Sequence, residues 1–438
     1  MLQFLLAYLI LLFKTKIVCI DIKVSIGKKI GNDADNIYPI YLNLNEPIIN
    51  KTNPIDLFCI FDITSKMNII NLKRTLYLIV DALDSEDRLS LILFYYNYVQ
   101  RKFSLEVMDK DNKEKSKTII NSISNTDKKE STFNNAIKFI FTELNDKYNE
   151  TRIQSVIFIS AANNADKNPV SFLKNLMNDN NKREYDFTFH TLSFNEDSKG
   201  GDLLDLSNYR DGSYYSINNF LQAKNSVLNI IGGLKTTNYK LVKINVTSSD
   251  TKFRIRYIFG YDHISNTPSI SSESKFNIKI QQFITGKDYT YIFLMKLPDN
   301  MKNGEKILKI SVEYKDFIKN KKLKNYKFLY YYNSVKYFDP KKDEFCRVKA
   351  FEAIYSYSIN KININQYNKR ILRISGDCQT NLNKNISDLM YDVYNSMEKK
   401  NWINGSVSEG YLKRGGIHLW YSNSYQLELI NNYTDIKY

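Results

Sequence analysis

The segment Ile55–Met67, IDLFCIFDITSKM, limits the fold more than any other stretch of the chain. From Leu57 to Ile63 only Asp62 is polar. A run without alternation suits a strand covered on both faces. A polar loop follows at once, with Asp62, Thr64 and Lys66 at every second position. Strand and helix patterns then alternate as far as Leu234. NIINLKRTLYLIVDAL places Ile69, Leu72, Leu76, Ile79, Val80 and Leu83 on one helical face. DRLSLILFYYN, SVIFIS and DFTFHTLSF read as further strands, with YVQRKFSLEV as hairpin-like material beside the first of them. TFNNAIKFIFTEL, PVSFLKNLM and FLQAKNSVLNIIGGL read as helices, the last closed by Gly232 and Gly233 as a cap. This order predicts an α/β unit, a doubly wound and mainly parallel sheet with helices on both faces.

From about Tyr239 the period changes to two. KFRIRYIF, SKFNIKIQQF, DYTYIFLMKL, KILKISVEY and NYKFLYYYN alternate and are separated by turn-rich stretches, the pattern of an antiparallel β-sandwich. The early strand-like segments IKVSI and IYPIYLNLNEP lie outside the α/β unit and are expected to join that sandwich. The expected divisions are a signal peptide over 1–19, sandwich strands over 20–53, the α/β domain over 54–235, the β-sandwich over 236–336 and a helical C-terminal region over 337–438.

Leu2 to Phe13 is apolar apart from Gln3 and Tyr8. It is shorter than the roughly 20 residues that span a bilayer but fits a secretory h-region. The alternative is a buried element at the start of the mature domain. Secretion or residence in the endomembrane system follows from the first reading and cytoplasmic residence from the second. The net charge of +15 raises nucleic acid or anionic lipid as a partner. The lysines, however, are spread along the chain among many Asn and Ile, without an aromatic-interleaved basic stripe. The expectation is therefore a protein ligand, no nucleic acid, and no membrane span beyond the N-terminal segment. Cys59 sits within the apolar strand as a small hydrophobe. Cys346 and Cys378 can pair, which spacing alone does not decide. With no CxxC and with His190, His263 and His418 far apart, no zinc site is visible.

The strand, Asp62-x-Thr64-x-Lys66, the helix, DRLSLILF, EST and SVIFISAAN together resemble the von Willebrand factor A domain. In that family a metal-ion-dependent adhesion site lies at the carboxyl ends of the strands, the crevice where open α/β sheets bind ligands. The resemblance implies that the family's first aspartate falls on Asp62 and its first serine on Thr64. Its second serine falls on Lys66, its threonine on Thr132 and its last aspartate on Ala161. Ala161 removes one negative charge and Lys66 adds a positive one, a change of about two units against a divalent cation. Each such contact at about 4 Å is worth roughly 4 kcal/mol in an effective dielectric near 20. Lys66 is expected to fold onto Asp62 and take the metal's place. No cofactor is expected; Mg²⁺ enters only if Glu130, Asn163, Asp166 or Glu196 supplies the missing oxygen.

The wider chain resembles the plant-type zinc-finger proteins that carry a von Willebrand factor A domain, through residues 54–95, FHTLSF (189–194) and IIGGL (230–234). VKAFEAI and the helical pattern over 386–398 also fit that layout. Those proteins use an N-terminal RING finger for ubiquitin ligation. Here an apolar stretch holds that place and no Cys/His cluster is present, so ligase activity is not implied. No Gly-x-Ser-x-Gly, Walker loop or His-based metal motif is present either, and no enzyme activity is expected. The reading is a non-enzymatic interaction or adhesion protein with a degenerate metal site. The alternatives are a ubiquitin-pathway adaptor without the RING and a metal-dependent adhesin with a rescued site.

Overall fold

The computed structural model describes residues 20–27, 36–46, 365–366, 369 and 424–433, and also 52–332 apart from 162, 167, 180–184, 195–200, 218, 260–273 and 287–288. The expected signal peptide, Cys346, Cys378 and most of the expected helical region lie outside these residues. Strands β1 (Asp21–Ile26) and β2 (Ile37–Asn45) come first. The α/β unit follows as β3 (Ile55–Asp62), α1 (Ile69–Ala82), β4 (Arg88–Tyr95), β5 (Tyr98–Val107), α2 (Lys110–Asn121), β6 (Glu130–Ser131) and α3 (Phe133–Asp146). It continues through β7 (Ile153–Ser160), β8 (Asn163–Asn164), α4 (Pro169–Asp179), β9 (Thr188–Ser193), α5 (Gly201–Tyr209), β10 (Tyr214–Ser216) and α6 (Phe220–Lys235). Then come β11 (Thr237–Ser248), β12 (Arg254–Phe259), β13 (Lys275–Ile284), β14 (Tyr289–Lys296), β15 (Glu305–Asp316), β16 (Lys321–Tyr331) and finally α7 (Ser424–Asn432).

The central sheet has the order β10-β9-β7-β3-β4-β5 and is parallel except for β5, which returns antiparallel to β4. Every residue of β3, β7 and β9 is buried, which is why Leu57–Phe61 and Val156–Ile159 are unbroken apolar runs, while β9 buries Thr188, His190, Thr191 and Ser193 among its apolar residues. Leu57, Cys59 and Phe61 face a core completed by Leu76 and Ile79 of α1 and by Val227 and Ile231 of α6. Phe58 and Ile60 face the other, completed by Phe133 and Ile137 of α3, Leu173 of α4 and Leu206 of α5. Burial pushes the Cys59 thiol far up, so it serves as packing.

Two antiparallel sheets, β1-β2-β14-β12 and β13-β11-β15-β16, close over a third core that includes Leu42, Leu44, Ile244, Ile278, Phe293 and Ile310. β2 pairs with β14, Leu44 opposite Tyr289, so one sandwich draws its strands from both sides of the α/β unit. The sandwich meets that unit at the amino-terminal ends of β3, β7 and β9. There Gln282 Nε2 donates to Gln154 O (2.7 Å) and Asp186 O (3.1 Å), and Asn53 Nδ2 donates to Thr237 O (2.7 Å). A buried pair reinforces the joint, Lys240 with Asp186 at 3.1 Å, and beside it, within the α/β unit, Lys235 at the end of α6 pairs with Asp87 at 2.7 Å. Asp56, fully buried, is held by Arg88 (2.8 and 2.6 Å) and by Arg152.

Gly232 and Gly233 do not cap α6. The helix continues to Lys235, and the two glycines admit α7. A Cβ on Gly232 would stand 2.9 Å from Gln426 Cγ, and one on Gly233 2.9 Å from Gln426 Nε2. With no side chain there, Gln426 Nε2 reaches Asn229 O at 2.7 Å. No described helix is long and apolar enough to cross a membrane.

Glu46, just beyond β2, is buried in the joint and accepts a hydrogen bond from the Tyr239 hydroxyl at 2.6 Å. Burial, with a smaller contribution from Asp316, pushes its carboxyl from the ordinary 4.5 up to about 7. The folded state therefore holds this proton more tightly than the unfolded chain. The associated stability is fully present below about 4.5 and is lost as pH rises through about 7. Denaturant unfolding across that window is expected to show a loss on the order of 2 kcal/mol in the native chain. Glu46→Gln is expected to flatten that part of the profile; an unchanged profile would show that Glu46 does not titrate there.

Candidate functional site

The chain leaves β3 for β4 on one side and later returns as β7 on the other, so the sheet's switch point lies between the carboxyl ends of β3 and β7. Asp62 ends β3 at this point and is fully buried. Its Oδ1 accepts from Thr64 N at 3.0 Å and from Thr64 Oγ1 at 2.8 Å. Its Oδ2 accepts from Ala161 N at 2.6 Å and from the Ser160 hydroxyl. A carboxylate offers roughly four lone-pair sites, and these donors use them. The first turn after β3 is thus pinned to the end of β7 through one side chain.

Lys66 does not fold onto Asp62. It is exposed and makes no ion pair with Asp62 among the described residues. The physical reason is that backbone and hydroxyl donors satisfy the buried carboxylate without desolvating an ammonium, which would cost several kcal/mol. The loop turns outward instead: Ser65 N donates to Lys128 O at 2.8 Å and Asn125 Nδ2 to Met67 O at 2.8 Å.

Thr132 immediately precedes α3 without capping it through its side chain; its hydroxyl donates to Tyr96 O at 2.6 Å. The start of α3 is satisfied from the neighbouring loop. Asn164 Oδ1 accepts from Phe133 N at 3.2 Å, and Asp166 Oδ2 accepts from Asn134 N at 2.7 Å. A carboxylate there suits the positive end of the helix dipole. Asn164 Nδ2 also donates to Asp202 Oδ2 at 2.9 Å, which ties this loop to the start of α5. The short parallel pair β6–β8 stitches the same loops together. Of the side chains expected to supply a missing oxygen, Asp166 is engaged as this cap, Glu130 is exposed, and Glu196 and the side chain of Asn163 lie outside the described residues. Among the described residues, no group of three or more His, Cys, Asp or Glu stands close enough to hold a metal ion.

The structure thus brings together Asp62, Thr64 and Ala161. It sets Lys66 at the surface and turns the Thr132 hydroxyl to the β4–β5 turn. Ser160 and Asn164 were missed by the sequence reading. The signal for Ser160 was the hydroxyl that closes the apolar run SVIFIS, at the position where a parallel strand opens into its loop.

Removing the Asp62 carboxylate leaves the Thr64 and Ala161 amides and the Ser160 hydroxyl buried without this acceptor. Asp62→Ala is expected to lower unfolding free energy by about 3 kcal/mol in excess chelator. A loss below about 1 kcal/mol under that condition would show that the carboxylate is not a structural clasp.

No protein-family model matches the sequence, and no protein of curated function matches it. Solved structures do. The von Willebrand factor type A protein from Catenulispora acidiphila superposes with a TM-score of 0.63 at 8% identity, over 93% of this chain and 97% of that one. The ArnB paralog VWA2 from Sulfolobus acidocaldarius gives 0.57 at 12% identity, over 91% and 98%. At such identities the likeness concerns the fold, and both matches run through the sandwich as well as the α/β unit. This chain has the von Willebrand factor A fold, joined to an antiparallel β-sandwich.

Proposed function

We propose that the chain is a non-enzymatic protein-interaction protein of the adhesion type, which binds through the loops at the carboxyl ends of its central strands without a bridging cation. The observation that carries this reading is the Asp62 carboxylate, buried and engaged by Thr64, Ser160 and Ala161. In the family's metal-dependent sites a carboxylate must be open to the ion or its waters. Here the donor set does not fit Mg²⁺: the Ala161 side chain has no ligand atom, the Thr132 hydroxyl is directed at Tyr96 O, and Lys66 brings a positive charge. The sandwich occupies the opposite end of the sheet, so the described residues of the loops 62–68, 130–134 and 161–166 form the end it leaves uncovered, with Ser65, Lys66 and Glu130 exposed there. Residues 195–200, part of the expected 194–201 loop, lie outside the described residues. Exposed Lys66 supplies a cation for a carboxylate on the partner, a role the family gives to a metal. Residence in the secretory route is part of this proposal and follows from the apolar N-terminal stretch.

The reading is tested by affinity capture of extracellular and membrane-surface proteins on the immobilised full chain, with Mg²⁺ or with excess EDTA, beside a Lys66→Glu variant. The expected result is the same bound proteins with and without chelator, and their loss with Lys66→Glu. Release by EDTA would mean that a cation bridges the partner after all.

A further inference from the structure

Beyond the loop site, the outward face of the sheet β13-β11-β15-β16 combines aromatic rings with lysines in a way the linear sequence hides. β13 alternates cleanly, with Phe276, Ile278 and Ile280 buried and Lys275, Asn277 and Lys279 exposed. Register carries this outward set across the sheet. Lys279 stands opposite Lys243, which stands opposite Glu313. Two residues along, Asn277, Asn245 and Ser311 align and lead to Tyr326 on β16. Two further on, Lys275, Thr247 and Lys309 align and lead to Phe328. Within these rows the one acid, Glu313, is paired with Lys324 at 2.6 Å. The face therefore carries a row of amide and hydroxyl groups flanked by lysines.

Along its border runs a ladder of rings. Tyr326, Phe328, Tyr330 and Tyr332 project on the same side, with successive centroids 5.6, 6.4 and 6.4 Å apart. Tyr326 is 63% exposed, Tyr330 39% and Tyr332 45%, large exposed areas for aromatic side chains. Lys306 lies over the Phe328 ring at 3.6 Å and fixes it in the row.

We propose, against the sequence-based expectation of no nucleic acid, that this face binds single-stranded nucleic acid, the bases resting on the rings of β16 and of Tyr332 just beyond it and the phosphates meeting Lys275 of β13 and Lys309 of β15. Charge complementarity selects a polyanion, because a second copy of the chain would bring lysines against lysines. Ring geometry selects the kind of polyanion. Neighbouring rings are tilted by 59°, 60° and 46° and do not form one flat platform. A stiff polysaccharide ribbon needs coplanar faces, whereas a flexible strand can turn each base separately. The ring spacing also exceeds the roughly 3.4 Å step of a strand within a duplex, so the bases must be unstacked, as in sheet-surface recognition of single strands. The side-chain amides of Asn245 and Asn277, between the lysine rows, can pair with base edges.

The test is fluorescence anisotropy of the full chain with a labelled oligouridylate over a range of salt. It is run beside Tyr326→Ala/Tyr330→Ala and Lys275→Ala/Lys309→Ala, with unfolding midpoints confirming that both variants are folded. The expected result is saturable binding that the tyrosine variant weakens by about tenfold or more at fixed salt while keeping the salt slope. The lysine variant is expected to lower that slope. Equal affinity of the tyrosine variant, or equally tight binding of the matching duplex, would reduce the face to a general cation and overturn the proposal. Binding of a sulfated polysaccharide without binding of the oligonucleotide would overturn it, as would self-association that the tyrosine variant abolishes without oligonucleotide binding.

Discussion

The joint between the α/β unit and the sandwich rests on buried charge, and the rest of the architecture depends on it. Lys240 reaches across from β11 to Asp186 at 3.1 Å and also donates to Arg152 O at 2.8 Å, while its ammonium lies over the Phe317 ring. Burial pulls its pKa down, and Asp186 opposes that pull. Leaving either partner of such a pair alone in the interior costs about 3–5 kcal/mol, so the sandwich cannot lift away without exposing both. Lys235 with Asp87, and Asp56 with its two arginines, place further buried charge at the amino ends of the strands, within the α/β unit itself. The Lys240–Asp186 pair holds the sandwich at this end, away from the loops that the proposed function uses.

At that other end the chemistry is of the opposite kind. Asp62 is satisfied by neutral donors from its own loop and from the end of β7, and Asp166 by a helix amide. Both carboxylates hold loops together, and Lys66 stands at the surface beside them. In the family's metal-dependent sites, oxygen atoms at this position face the ion. Here the same strand ends, built on the same switch point, are held together by these carboxylates, and the proposed cation-independent binding rests on that arrangement.

Two of the central strands are legible because burial on both faces leaves little room for polar alternation, so LFCIF and VIFI stand out as apolar runs. The sandwich strands were legible for the converse reason, since β13 alternates lysine and asparagine with apolar residues. Two features were not readable. Gly232 and Gly233 resembled a cap, because the sequence does not show that a helix some two hundred residues later needs the space. Lys66 beside Asp62 suggested an ion pair, because the acceptor capacity of Asp62 is consumed by the distant Ser160 and Ala161, visible only once β7 lies beside β3. The lysine rows were hidden in the same way, since residues from three strands become neighbours only through register.

The claim at the centre of this account is that the Asp62 clasp excludes a divalent cation. It is tested most directly by calorimetric titration of Mg²⁺ and Mn²⁺ into the full chain, beside a Lys66→Ser/Ala161→Asp variant. The account predicts no saturable heat from the native chain and saturable binding once the hydroxyl and the carboxylate are restored. Saturable binding by the native chain, abolished by Asp62→Ala, would contradict it, because the carboxylate would then be a metal ligand.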